Sequence, residues 1–161
     1  MFCDLGSGRG QVVLAVYRRW TDHFAECRGI EALSGLVELS SRASAAMVAE
    51  VRDLARESHS CKMTFSVADF LSSGQQWLDA DVVYIVGTCF PTEWFESNGA
   101  LCALLLRLKV GARVCVVTQS LRGVKGFRVI ASVRDLKATW GDCIARVYER
   151  WDDSDGSDED E

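Results

Sequence analysis

The chain has 161 residues, 48% of them hydrophobic and only one a proline, a size and composition suited to a single compact domain rather than a multidomain or disordered chain. Its formal net charge of −5 is unevenly spread: the last ten residues, Asp152 to Glu161, hold seven of the 23 acids, so the rest of the chain sets 18 bases against 16 acids. No apolar run approaches the roughly 20 residues needed to cross a bilayer, and Met1-Phe2-Cys3-Asp4-Leu5-Gly6 lacks the basic lead and apolar core of a signal peptide, so an intracellular protein with no membrane partner is expected.

Hydrophobic periodicity alternates between strand and helix along the chain. Phe2 and Cys3 read as the stub of a strand, so the domain is expected to be truncated at its N-terminus, with a weakened sheet centre. A glycine-rich turn follows, then a helix over Gln11 to Trp20 and a second strand from near Phe24 to Glu31. Leu36, Leu39, Ala43, Met47, Val51 and Leu54 recur at helical spacing and predict a helix from about Ser34 to Glu57.

Met63 to Val67 is a short strand leading to Ala68-Asp69-Phe70, and the apolar run Asp81 to Val86 has the character of a buried parallel strand. A loop over Gly87 to Pro91 precedes a helix predicted from near Thr92 to Leu108, with Gly111 as its C-cap. Ala112 to Thr118, Phe127 to Val133 and Cys143 to Arg150 are strands, the last two an antiparallel pair around Trp140-Gly141. The alternation predicts an α/β sandwich built on a mostly parallel sheet, with a domain over residues 1–151 and an acidic tail over 152–161.

The tail has no apolar residues to bury and is expected to be disordered. It serves either as a solvated extension or as a contact for a basic partner, tuned by phosphorylation at Ser154 or Ser157. The seven cysteines contain no C-x-x-C pair and lie mostly in apolar runs, which predicts reduced, buried thiols. With only His23 and His59 available, no metal centre is expected.

The chemistry concentrates at three predicted strand ends. Asp4-x-Gly6-x-Gly8-x-Gly10 forms a turn through which backbone can approach a ligand closely, before a helix whose first amides are unpaired. Gln11 breaks the G-x-G-x-x-G spacing of a dinucleotide binder, and no Lys-Ser/Thr pair makes a phosphate loop. Asp4 suits a cationic ligand carrying a sulfonium or amino group. Glu31, ending the second strand, is placed to accept both hydroxyl protons of a ribose. Asp69 and Phe70, past the third strand, offer an acceptor for an exocyclic amine and an aromatic for a purine face.

These residues resemble a known family. Asp4-Leu5-Gly6-Ser7-Gly8-Arg9-Gly10-Gln11-Val12-Val13-Leu14, then Gly29-Ile30-Glu31 and Asp69-Phe70-Leu71, are similar to the disruptor-of-telomeric-silencing family of histone-lysine methyltransferases, which act without a SET domain. Weaker similarity runs through Val82 to Phe90, Ala112 to Thr118 and Thr139-Trp140-Gly141. The resemblance implies a Rossmann-like, three-layer class I methyltransferase domain that uses S-adenosylmethionine. It implies that Gly6, Gly8, Gly10 and Gln11 line the methionine end of that cofactor, that Glu31 holds the ribose, and that Asp69 and Phe70 hold the adenine. A nucleosome or histone partner and a nuclear location are implied too. Two departures stand out: Val86 occupies the position of the family's asparagine beside the reacting methyl, and the family's upstream lid is missing.

Three functions follow as expectations. One is lysine methylation on chromatin, with Arg122, Lys125 and Arg128 touching nucleic acid or an acidic histone surface. The second is a degenerate, methyltransferase-like interaction module, and the third a methyltransferase for RNA or a small molecule.

Overall fold

The computed structural model describes residues 1–54, 61–72 and 76–152. The expected end of the second helix at Glu57, His59, and the tail beyond Asp152 with Ser154 and Ser157 lie outside the described residues. Among the described residues, seven strands make one mixed sheet in the order β3-β2-β1-β4-β5-β7-β6, as expected for an α/β sandwich with an antiparallel C-terminal pair. By contact, the chain forms two compact units, Met1–Ile85 and Val86–Glu161.

The first unit holds β1 (Phe2–Leu5), α1 (Gln11–Trp20), β2 (Glu26–Glu31), α2 (Ser34–Leu54), β3 (Lys62–Val67) and most of β4 (Val82–Val86). All four residues of β1 are buried, and each is paired on both sides, parallel to β2 and to β4. That double burial explains why Phe2-Cys3-Asp4-Leu5 shows no apolar-polar alternation. Strand order reverses between β1 and β4, and such a switch point leaves a crevice at the carboxyl ends of the strands.

Helix α1 follows Gly10 at its N-cap and buries Val13, Val16 and Tyr17 against Phe2, Cys27 and Cys61. Each buried aliphatic or aromatic side chain of this kind contributes roughly 1.5–3 kcal/mol. All seven cysteines are free, and five of them are buried. Helix α2 starts at Ser34 as expected but presents a different face. Val37 and Ser40 are buried, Met47 and Val48 partly so, while Leu39 is 42% exposed and Ala43 is exposed. The cause is close packing at Ser40, whose Cβ would lie 2.8 Å from a Cβ built on Gly10. Only a small side chain fits there, so the serine, not the nearby leucine, faces inward.

The second unit departs more from expectation. The helix predicted over Thr92 to Leu108 is a short 3-10 turn, Thr92–Phe95, and a six-residue helix α3, Ala100–Leu105. Between them Gly99 is extended (φ −73°, ψ 146°), and a Cβ on it would lie 2.3 Å from the Glu93 carbonyl oxygen. The chain folds back on itself at that glycine, which the apolar periodicity does not reveal. The expected loop over Gly87 to Pro91 contains a further 3-10 turn, Gly87–Cys89. Gly111 (φ 84°) donates its amide to Arg150 O at 2.8 Å, turning the chain toward β5 (Arg113–Val117) rather than capping a helix.

Strands β6 (Phe127–Ala138) and β7 (Gly141–Arg150) form a hairpin longer than predicted, with Gly141 (φ 125°) at its turn. β7 pairs antiparallel with both β5 and β6, and bulges interrupt β6 between Val129 and Ala131 and between Val133 and Leu136.

Candidate functional site

The glycine turn and the end of β2 are tied together. Gly6 N and Ser7 N both donate to Ile30 O, at 2.9 and 3.0 Å, and Gly6, Gly8 and Gly10 all take left-handed φ values of 75°, 53° and 76°. This geometry brings Glu31 beside the turn: its Oε2 accepts the Gly8 amide at 2.9 Å and its Oε1 accepts the Leu33 amide at 3.0 Å. The Glu31 carbonyl in turn accepts Ala68 N at 2.9 Å, linking the ends of β2 and β3. One residue therefore touches all three strand ends through side chain and main chain.

The glycines serve different ends. A Cβ on Gly8 would meet nothing within 4 Å, so residue 8 faces open space into which a ligand can come close. Gly10 is buried, and a Cβ there would fall 2.6 Å from the Phe65 ring, so its lack of a side chain serves packing. Gln11 is exposed at the start of α1.

Asp4, the last but one residue of β1, is only 3% exposed. Burial, reinforced by the nearby Glu31 charge, pushes its carboxyl up to about 7. Desolvation disfavours the ionised form, and a cation brought alongside would reverse that balance. The hydroxyl of Ser7, in the same turn, is buried with no hydrogen-bond partner among the described residues.

Asp69 is exposed and shaped by a local turn, its carboxylate accepting Leu71 N at 2.9 Å and the Ser72 hydroxyl at 3.0 Å. Phe70 is 6% exposed, and its carbonyl accepts the indole N–H of the fully buried Trp77 at 3.0 Å. The structure thus gathers Asp4, Gly6, Gly8 and Glu31 around one turn and places Asp69 just beyond β3, but leaves the Phe70 ring little free face. Sequence reasoning missed Leu33, which is 62% exposed beside Glu31 and offers apolar surface to a flat ring. An unburied leucine two residues past the acid is its signal, though exposure cannot be read from sequence. Val86, at the end of β4, is partly buried.

Of the three bases Arg122, Lys125 and Arg128, the last is already engaged within the fold. Arg128 is held by Glu149 (Nε to Oε1 3.1 Å) and stacks 3.9 Å from the centre of the Trp151 ring. The long hairpin pairs Arg128 with Glu149 across strands, a partnership visible only once the register is known.

No protein-family model and no curated protein sequence matches the chain. Solved structures do. TrmN from Thermus thermophilus is similar with a TM-score of 0.66 at 14% identity, over 92% of this chain and 43% of that one. The rRNA methyltransferase AviRa from Streptomyces viridochromogenes gives 0.64 at 12% identity, over 98% and 79%. The N-methyltransferase NodS from Bradyrhizobium japonicum WM9 gives 0.60 at 8% identity, over 94% and 85%. At such identities the likeness is one of architecture, and it agrees with the strand order and the antiparallel C-terminal pair: the chain has the Rossmann-like fold of class I methyltransferases.

Proposed function

We propose that this chain is an S-adenosylmethionine-dependent methyltransferase domain whose cofactor site lies at the glycine turn. The observation that carries the reading is the Glu31 carboxylate, bridging the Gly8 amide of the turn and the Leu33 amide at the head of α2. Each of its oxygens accepts one amide and keeps a lone pair for a ribose hydroxyl. The residues fit such a group in three further ways: open space over Gly8, a buried acid at Asp4 that gains from a cation, and Leu33 as an apolar surface for a purine. Asp69 is the candidate acceptor for the exocyclic amine, and Phe70 supports that turn from the core.

When bound, the cofactor supplies a methyl group on a positively charged sulfur. The protein's part is positional. Glu31 would hold the sugar, Asp4 would balance the positive charge, and the open backbone at Gly8 would let the ligand come close. In-line transfer to a neutral amine needs alignment and exclusion of water more than an acid or base.

The finer reading, lysine methylation of a histone on chromatin in the nucleus, is supported by the sequence resemblance of the Asp4–Leu14 block. A second reading, a binding module without turnover, is supported by Val86, which cannot hydrogen-bond an incoming amine. Calorimetry with S-adenosylmethionine tests the site: Glu31→Ala and Asp69→Ala are each expected to weaken binding about tenfold or more while the melting transition stays cooperative. Binding indifferent to both substitutions overturns the assignment. Label transfer from tritiated cofactor to nucleosomes, free histones and RNA then separates the enzyme from the module and ranks the substrates.

A further inference from the structure

The second unit contains a polar cleft of about 310 Å³ at the carboxyl end of β5, walled by Thr118, Gln119, Ser120, Arg122, Asp142 and Arg146. Its floor is a strained but firmly held segment. Thr118 has φ 71°, a left-handed conformation that β-branched residues avoid at a cost of about 1–3 kcal/mol. The segment is fixed through its main chain: Thr118 N donates to Ile144 O at 2.9 Å, Leu121 N to the Tyr148 hydroxyl at 3.1 Å, and Arg122 N to Phe95 O at 3.0 Å. Gln119 is placed by Nε2 donating to Thr92 Oγ1 at 3.3 Å and by contact with Gly87, where a Cβ would lie 2.5 Å from its Cγ. The main chain between these anchors, with the Gln119 side chain, is therefore held in position before any ligand arrives.

The charges in the cleft do not cancel. Asp142 is its one acid, and both of its oxygens accept from Lys137 Nζ, at 2.8 and 2.7 Å. Arg122 and Arg146 have no carboxylate partner among the described residues, although Arg146 is half-buried. A partly desolvated guanidinium without a counter-ion is costly and favours an anion. Two guanidinium forks beside the Ser120 hydroxyl and the Gln119 amide suit a tetrahedral oxyanion, which accepts many hydrogen bonds and matches the fork geometry, while the Thr118 hydroxyl spends its proton on the Val117 carbonyl.

We propose that this cleft binds a phosphate group, presented by a nucleic-acid strand or by a small phosphorylated molecule, with Arg122 and Arg146 as its charged clamps. The cleft shares no residue with the proposed cofactor site, so it stands or falls independently of the methyltransferase reading.

The test uses the full chain and three probes: a fluorescently labelled 12-nucleotide single-stranded RNA, the matching duplex DNA, and inorganic phosphate followed by NMR of the arginine side chains. Arg122→Gln and Arg146→Gln are each expected to weaken oligonucleotide binding about tenfold and to lower the salt dependence by about one ion. Lys125→Gln, an exposed cation outside the cleft, changes affinity less than twofold. Perturbation of the Arg122 and Arg146 signals by inorganic phosphate, without oligonucleotide binding, assigns the site to a small phosphorylated ligand. The proposal is overturned if both arginine variants, with melting transitions like the parent's, bind all three probes as the parent does. It is equally overturned if Lys125→Gln loses as much affinity as they do, or if no probe binds the parent. Glu31→Ala, which tests the cofactor site, is expected to leave phosphate binding unchanged.

Discussion

A Cβ on residue 8 would enter open space, whereas one on residue 10 would lie 2.6 Å from the Phe65 ring and 2.8 Å from Ser40 Cβ. The two glycines are indistinguishable in the sequence motif, yet they predict different losses. Gly8→Ala should cost about 1–2 kcal/mol from its left-handed backbone alone, leave a folded protein, and abolish cofactor binding measurable by calorimetry. Gly10→Ala adds overpacking and should cost about 2–4 kcal/mol in urea titration. Asp4 makes a third case. Its carboxyl rises from 3.8 to about 7 in the fold, so the folded state holds a proton that the unfolded chain releases. Its contribution therefore favours folding below about pH 4 and is lost as pH rises through about 7, a change on the order of 4 kcal/mol. Asp4→Asn should flatten that slope and be the more stable protein at pH 8. A cation bound beside the ionised acid works the other way: affinity of the parent for S-adenosylmethionine should rise about tenfold from pH 6 to pH 8, with proton release seen by calorimetry in two buffers. That Asp4, the glycines and Glu31 gather at one turn was legible because backbone turns and strand-end charges leave a chemical signature in sequence. The inward turn of Phe70 was not, because an aromatic after a strand reads alike whether it faces a ligand or the core.

Helix α2 shows what an element's sequence hides. Its start at Ser34 follows from the pattern, but its phase is set by the small space over Gly10 and Phe65. Ser40 is fully buried and bonds back to Val37 O at 2.9 Å, while Leu39 is 42% exposed. Ser40→Leu should therefore cost about 1–3 kcal/mol by overpacking, and Leu39→Ser less than about 0.5 kcal/mol. A periodicity argument ranks these two changes in the opposite order, so thermal melts of the pair discriminate directly. The segment over Thr92 to Leu108 fails for a related reason: Phe95, Leu101, Cys102 and Leu105 are buried as a helix face would be, but Gly99 breaks the chain between them. In the β6–β7 hairpin the strands outrun the prediction, since β6 stays largely exposed along its length and lacks the buried alternation by which strands are recognised. The parallel strand β4 was legible because Val82–Val86 is a short, unbroken apolar run, whereas β1 read only as a stub because the buried Asp4 interrupts its apolar residues.

Across the whole molecule, the net charge of −5 conceals two opposed parts, since seven of the 23 acids fall in residues 152–161. That segment begins directly after Trp151, in the chain that also carries Arg122 and Arg146, which have no carboxylate partner among the described residues. Tethered carboxylates would compete with phosphate for the same cations, because both lower their free energy by approaching a guanidinium. Removing residues 152–161 turns the chain from net negative to slightly positive, which also weakens the long-range repulsion of a polyanion. Deletion should therefore strengthen binding of the 12-nucleotide RNA several-fold at low salt, chiefly through a faster association rate. The advantage should vanish near 1 M salt, where screening acts within about 3 Å, and it should shrink in a protein that also carries Arg122→Gln and Arg146→Gln. Stopped-flow anisotropy of the four proteins, with and without the tail and with and without the arginines, measures this coupling. If deleting the tail helps the arginine variant as much as the parent, the carboxylates act by diffuse repulsion alone and do not compete for the cleft.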